Sequence, residues 1–335
     1  MIPSVIPSVI PSGIPSQKSA DWSNRPGDRP SRLTIVRVPV TKLWASEAVD
    51  GGELVREFLI ADVFTGTPLE GNQLGIFPDG RGLNDEMMLK ATREMNFAET
   101  VFFLPPAEQQ ADAHVRIFTP GGELPFAGHP MLGSAWVLGA MLGKQVVTLR
   151  TGMGLVPVEL TREEDTITFG WMSQPVPTWG PYDRTAELLE ALGTTGKPDG
   201  LPVESYRNGP LTAYVEISTE DALNALDPDM RKLAGIPVNA ACFTQTPNGC
   251  TTRMFAPALN VPEDPATGSA AGPLAVHLAR HGRIKFGDQI EIRQGACIHR
   301  PSVLYARADG TQDAIERVLV GGRAVIVARG EYRLR

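Results

Sequence analysis

The chain alternates short apolar runs with turn residues, and the period of each run indicates the element it forms. FLIADVF (58–64) and QLGIF (73–77), separated by the turn-rich TGTPLEGN, predict a β-hairpin-like pair. Asn84 suits a helix cap, and Met87, Met88, Ala91 and Met95 recur behind it at helical spacing. Phe97 to Leu104 read as a strand with one acid, Glu99, near its start among apolar neighbours. VVTLRT (146–151), LVPVEL (155–160) and TITFGW (166–171) predict a three-strand meander. The helix-hostile QPVPTWGP (174–181) is taken as a linker between domains. Beyond it the pattern predicts helices at 184–192 and 227–233 and strands near 203–207, 213–217, 241–246 and 252–255. Strands at 289–293, 303–307, 315–320 and 323–328 complete a mostly β chain with few helices.

Two stretches share one pattern. RIFTPGGELPFAGHPMLGSAWVLG (116–139) and RMFAPALNVPEDPATGSAAGPLAVHLA (253–279) both read R-x-F-x-P, then E-x-P-x-x-G, then an apolar helix. Arg116, Phe118 and Pro120 match Arg253, Phe255 and Pro257 at a separation of 137, and Glu123, Pro125 and Gly128 match Glu263, Pro265 and Gly268 at 140, so the second copy carries three extra residues. His129 then falls opposite Ser269. A duplicated strand–loop–helix unit predicts two similar domains whose helix N-termini face one ligand. In the second copy Pro265 disfavours helix at Asp264, and Thr267-Gly268-Ser269 offers capping chemistry before Leu274, Ala275, Val276 and Leu278. Unpaired N–H groups there, with small residues that admit close approach, suit a carboxylate- or phosphate-bearing small molecule.

Composition narrows the partners. The 335 residues suffice for two medium domains; the net charge is −7 and no Lys/Arg-rich run is present, which argues against nucleic acid. Cys242, Cys250 and Cys297 have no C-x-x-C spacing, so a disulfide framework or cysteine zinc site is not expected, and a reducing cytoplasm is the simplest home. The most apolar run, 135–143, is too short to span a bilayer. His277 and His281 have the i, i+4 spacing of metal ligands, but no acid or Cys lies nearby on that helix, and no metal is expected. Residues 1–56 stand apart: Ile-Pro-Ser recurs at 2, 6, 10 and 14, which predicts a disordered or polyproline-like leader, with the compact fold from about Glu57.

Taken together, PLEGN (68–72), NFAET (96–100), ELPFAGHP (123–130), QPVPTW (174–179), NGP (208–210), EDPATGSAAGPLA (263–275), LARHG (278–282) and QGACIHRPS (294–302) resemble the PhzF family over roughly residues 57–335. The resemblance implies an α+β, diaminopimelate-epimerase-like fold of two pseudo-symmetric domains, each a β-barrel-like sheet around a central helix, with the active site in the cleft between them. It places the domains at 57–178, completed by strands of about 318–335, and at 179–317. It implies isomerisation of trans-2,3-dihydro-3-hydroxyanthranilate to a reactive ketone in phenazine-type biosynthesis, by acid/base proton transfer without metal or organic cofactor, in a cytoplasmic homodimer. Glu99 matches the family's acid/base. His129 and Asp264 match residues that bind and orient the substrate, and Gly128, Gly268 and Ser269 match donors to its carboxylate. Gln73 stands where the family's pattern has proline.

The residues support an acid/base role for Glu99 beyond that match, since burial beside Phe97, Phe102 and Phe103 would raise the pKa of a carboxyl toward a useful range. Arg116 and Arg253 are candidates for anchoring carboxylates. A racemase working through two thiols is the rival in such a fold, and Cys242, placed near the counterpart of Glu99, cannot alone serve both faces. An isomerase or epimerase of another small carboxylate, or a catalytically silent binding homologue, are the other readings.

Overall fold

The computed structural model describes residues 54–334, and the leader up to residue 53 lies outside the described residues. β1 (Leu54–Val63) starts three residues ahead of Glu57, because Leu54 to Glu57 pair with Leu334 to Glu331 near the C-terminus. β1 is antiparallel to β2 (Asn72–Phe77), as the hairpin pattern requires, and Gln73 pairs with Asp62 inside that ladder. α1 (Asp85–Met95) follows, its first turn capped by Asn84 Oδ1, which accepts from the N–H of Met87 at 2.9 Å. β3 (Glu99–Leu104) is parallel to β2 and antiparallel to β4 (Ala113–Thr119), and β4 pairs with β5 (Gly122–Leu124) and, in parallel, with β6 (Val146–Thr151). Between β5 and β6 lies α2 (Gly128–Leu142). β6, β7 (Gly154–Glu163) and β8 (Thr166–Gln174) are the expected meander.

The second half repeats the order. β9 (Thr178–Pro181) is antiparallel to β10 (Glu204–Arg207), with α3 (Thr185–Leu192) between them, and β10 is antiparallel to β11 (Leu211–Glu216). After α4 (Glu220–Asn224) and α5 (Met230–Ala234), β12 (Asn239–Thr246) runs parallel to β11. β13 (Gly249–Ala256) is antiparallel to β12 and pairs with β14 (Val261–Asp264) and, in parallel, with β15 (Gln289–Gln294). α6 (Gly268–Arg280) lies between β14 and β15. β15, β16 (Ser302–Gly310) and β17 (Ile315–Gly322) form a second meander; β17 joins β8, and β18 (Ala324–Leu334) returns to β1. The pairing sequence of β1–β6 is therefore that of β10–β15, which makes the duplication seen in sequence a duplication of topology.

Two expectations need correction. The presumed linker ends in a strand: Pro175 and Pro177 precede it, and Thr178–Pro181 pairs along one side with β10, an arrangement that tolerates proline. The helix expected at 227–233 starts only at Met230, because Pro228 precedes it and Asp229 caps its first turn, and a separate short helix capped by Thr219, Glu220–Asn224, lies ahead of the expected range.

The architecture is α+β, and its two long helices are central. α2 is buried from Gly128 through Gly139 and packs against β1, β2, β6, β7 and β8, while α6 packs against β16 and β17. Leu132, Val137 and Leu138 are fully buried there, each worth about 1.5–3 kcal/mol of hydrophobic transfer. Gly139 lets the sheet come this close, since a Cβ would stand 2.2 Å from Leu160 Cδ1. No helix among the described residues is long and apolar enough to cross a membrane.

Candidate active site

Each repeat unit is tied by the same clamp. Arg116 reaches Glu123 through Nε and Nη2 at 2.8 and 2.5 Å and lies 5.0 Å from the Phe118 ring; Arg253 reaches Glu263 at 3.0 and 2.8 Å and lies 4.9 Å from Phe255. The paired arginines thus anchor carboxylates of their own repeats. Their bidentate geometry fixes the hairpin that leads into each central helix.

The helices then meet end to end. A Cβ on Gly128 would lie 2.4 Å from Ser269 N, so the two N-termini touch at a point only glycine permits. Neither helix has a side-chain cap or an acid in its first turn. Thr267 occupies the N-cap position of α6 without capping it, contrary to the sequence expectation, because its hydroxyl is turned to Asp264. Two partial positive charges and their free N–H groups are therefore directed at one place. A cleft of about 480 Å³, counting the space at its mouth, opens there, and all six sequence-predicted residues line it: Glu99, Gly128, His129, Asp264, Gly268 and Ser269.

Within the cleft the two acids are treated differently. Asp264, 9% exposed, accepts from Asn72 Nδ2 on Oδ1 at 2.8 Å and from Thr267 Oγ1 on Oδ2 at 2.5 Å. Among the described residues no donor reaches Glu99 Oε2, a buried atom 3.6 Å from His129 Nε2, itself without a hydrogen bond. Burial, followed by the neighbouring charge of Asp264, pushes Glu99 up to about 8. Asp264 is raised by burial to about 6, a rise that Thr267 and Asn72 oppose by bonding to its ionised form. Burial drives His129 down to about 3, so its imidazole is neutral at ordinary pH. The donors on Asp264 and their lack at Glu99 Oε2 favour Asp264 as the charged member of the pair and Glu99 as the one that holds a proton more readily.

Asn72 is the residue the sequence reading passed over. From the first position of β2 its Nδ2 donates to Asp264 Oδ1 and to the Ala266 carbonyl, both at 2.8 Å, and stands 3.2 Å from His129 Nδ1. An asparagine two residues ahead of the apolar run LGIF was the signal available. Gln294 was likewise quoted only as part of a motif; its Nε2 donates to the Asp264 carbonyl and to Thr267 Oγ1 at 2.7 and 2.9 Å. Arg300 fixes the loop before Asn72, donating to the carbonyls of Leu69, Glu70 and Gly71 and, at 2.6 Å, to Asp62.

The counterpart of Glu99 is Asn239 rather than a position near Cys242. Thr100 pairs with Phe118 as Ala240 pairs with Phe255, which sets Glu99 opposite Asn239, and both line the cleft. Cys242 lies three residues deeper, fully buried, its thiol pushed up to about 12. His277 and His281 do have an acid beside them, contrary to the reading of their helix alone. Glu204 on β10 places Oε2 at 3.2 and 3.1 Å from them, and the same oxygen accepts from Arg280 at 2.7 Å and Tyr206 at 2.9 Å.

Residues 61–330 match the model of the phenazine biosynthesis-like protein family. The chain belongs to this family. It is 47% identical over 281 residues to the trans-2,3-dihydro-3-hydroxyanthranilate isomerase of Pseudomonas aeruginosa, an alignment covering 84% of this chain and 100% of that one. Its structure is similar to a predicted epimerase from Pseudomonas aeruginosa, with 31% identity, a TM-score of 0.71 and coverage of 84% and 100%. A PhzF-family protein of Bacillus anthracis, 24% identical, shares the fold with a TM-score of 0.73 over 83% and 99% of the two chains. As a family member the protein is an isomerase.

Proposed function

We propose that the protein isomerises trans-2,3-dihydro-3-hydroxyanthranilate to its ketone by moving one proton between ring carbons, with Glu99 as the carrier. One observation carries this reading: a carboxyl whose Oε2 meets no hydrogen-bond donor among the described residues stands in a cleft beside a second carboxyl supplied with two. A group with a pKa near neutrality can take a proton as the carboxylate and return it as the acid, a role worth about 10²–10⁴-fold in rate. The relatives' name supplies the substrate class, and the site supplies matching chemistry.

In this reading the substrate carboxylate meets the N–H groups of Gly128, Gly268 and Ser269 and the Ser269 hydroxyl. Asp264, as the anion, accepts from donors on the ring, and neutral His129 contributes a hydrogen bond beside Glu99. Removing the hydrogen from the hydroxyl-bearing carbon leaves charge that spreads through the conjugated acid toward the carboxylate held by the helix N-termini. Returning the proton to another ring carbon and tautomerising the enol gives the ketone, with no atom gained or lost. The two-thiol alternative has no support, since Cys242 is outside the cleft lining and the counterpart of Glu99 that lines it is Asn239.

The same proposal takes residues 57–178 with 318–335 and residues 179–317 as the two domains, and a cytoplasmic homodimer as the working form. Chromatographic separation of substrate and ketone tests the activity. Conversion by the wild type is expected; a protein that leaves this compound untouched while exchanging the α-hydrogen of an amino acid would be an epimerase instead.

A further inference from the structure

We infer that Thr267, steered by Gln294, is a positioning residue that keeps the negative charge of the acid pair on Asp264 and thereby makes Glu99 the stronger base of the two. The inference rests on the acid/base reading above. Threonine at an N-cap ordinarily spends its oxygen on the helix's own N–H groups, a contact worth about 1 kcal/mol. Thr267 forgoes it, although α6 has no other side-chain cap.

The direction of its hydrogen bond is fixed by the chain behind it. Gln294 Nε2 faces the Asp264 carbonyl at 2.7 Å, which can only accept, and Gln294 Oε1 faces the Thr267 N–H at 3.3 Å, which can only donate. The amide is therefore oriented one way. Its Nε2 then donates to Thr267 Oγ1 at 2.9 Å, and the remaining hydroxyl proton has Asp264 Oδ2 as its acceptor at 2.5 Å. Such a relay favours an ionised Asp264. Glu99 receives nothing equivalent from the described residues, so the relay adds to the donation from Asn72 in favouring the charge on Asp264 over Glu99. Among the described residues His129 on α2 also stands beside the pair, and burial keeps it neutral; Arg253 and Glu263 on β13 and β14 neutralise each other at 2.8 Å.

The test compares Thr267→Val, which keeps the shape and loses the donor, with Thr267→Ser, which keeps the donor. Glutamate and aspartate side chains carry a ¹³C label, and their titration is followed by NMR in the ligand-free protein. In Thr267→Val the Glu99 midpoint should fall by about one pH unit and that of Asp264 should rise, while Thr267→Ser stays with the wild type. The ascending limb of kcat/KM against pH should move the same way. A merely structural threonine would lower the rate at every pH and leave both midpoints in place, and that result, or an equal shift in the serine variant, overturns the inference. Thr267→Ala supplies the same reading should the valine variant fold poorly. Absence of turnover in the wild type would defeat the acid/base reading alone, since the labelled titration judges Thr267 without substrate.

Discussion

Replacing Glu99 by Gln should all but abolish turnover and at the same time make the protein more stable, by an amount that depends on pH. The amide has the shape of the protonated acid and cannot ionise. In the wild type, burial and the Asp264 charge raise the Glu99 pKa from 4.5 to about 8. Because the folded pKa lies above the unfolded one, the group's contribution to stability is fully present below the unfolded value and is lost as pH rises through the folded value. One unit corresponds to about 1.4 kcal/mol, so keeping Glu99 in this setting costs about 3 kcal/mol at pH 7. Glu99→Gln should therefore match the wild type near pH 4, gain progressively between pH 5 and 8, and hold a constant advantage above that. Thermal melts across this range should show an advantage of about 5 °C at pH 7 that grows further by pH 8. kcat should fall by about 10³. A pH-independent difference, or a variant less stable than the wild type at pH 8, would refute the claim that the site holds an acid against its ordinary ionisation.

Other predictions follow from the same geometry. Asn72→Ala removes a buried donor shared by Asp264 and the Ala266 carbonyl; a loss of about 1–3 kcal/mol in denaturant unfolding and a lower kcat/KM are expected. Gly128→Ala places a Cβ 2.4 Å from Ser269 N and must push the helix N-termini apart, so it should cost about 2 kcal/mol and weaken binding of the substrate carboxylate measured by calorimetry. The two clamps should differ although their geometry is alike. Glu263→Ala strands an arginine 10% exposed and should cost about 3–5 kcal/mol, whereas Glu123→Ala, on a carboxylate 43% exposed, should cost about 1 kcal/mol or less in the same unfolding assay.

Much of this was legible before any coordinates, for an identifiable reason. The repeat was readable because both copies keep the residues that build the clamp and the glycine that lets the helices touch, and these are fixed by local geometry. Glu99 stood out as one acid in an apolar strand. Asn72, Thr267 and Gln294 did not, because their roles arise from distant segments: Asn72 meets Asp264 across 192 residues and Gln294 meets Thr267 across 27. A threonine before a helix reads as a cap, and only the position of Asp264 shows that its hydroxyl is used elsewhere. The same limit misplaced the counterpart of Glu99, which strand register sets at Asn239, and hid Glu204 from His277 and His281, since β10 lies far along the chain.

The central claim is that Glu99 carries the proton. Incubating the protein with trans-2,3-dihydro-3-hydroxyanthranilate in heavy water and locating deuterium in the product by NMR tests it most directly. The wild type should place deuterium on the ring carbon that receives the proton, through exchange of the Glu99 proton with solvent between its two transfers, and Glu99→Gln should place it there about 10³-fold more slowly. Deuterium entering that carbon at the wild-type rate in Glu99→Gln would contradict the account.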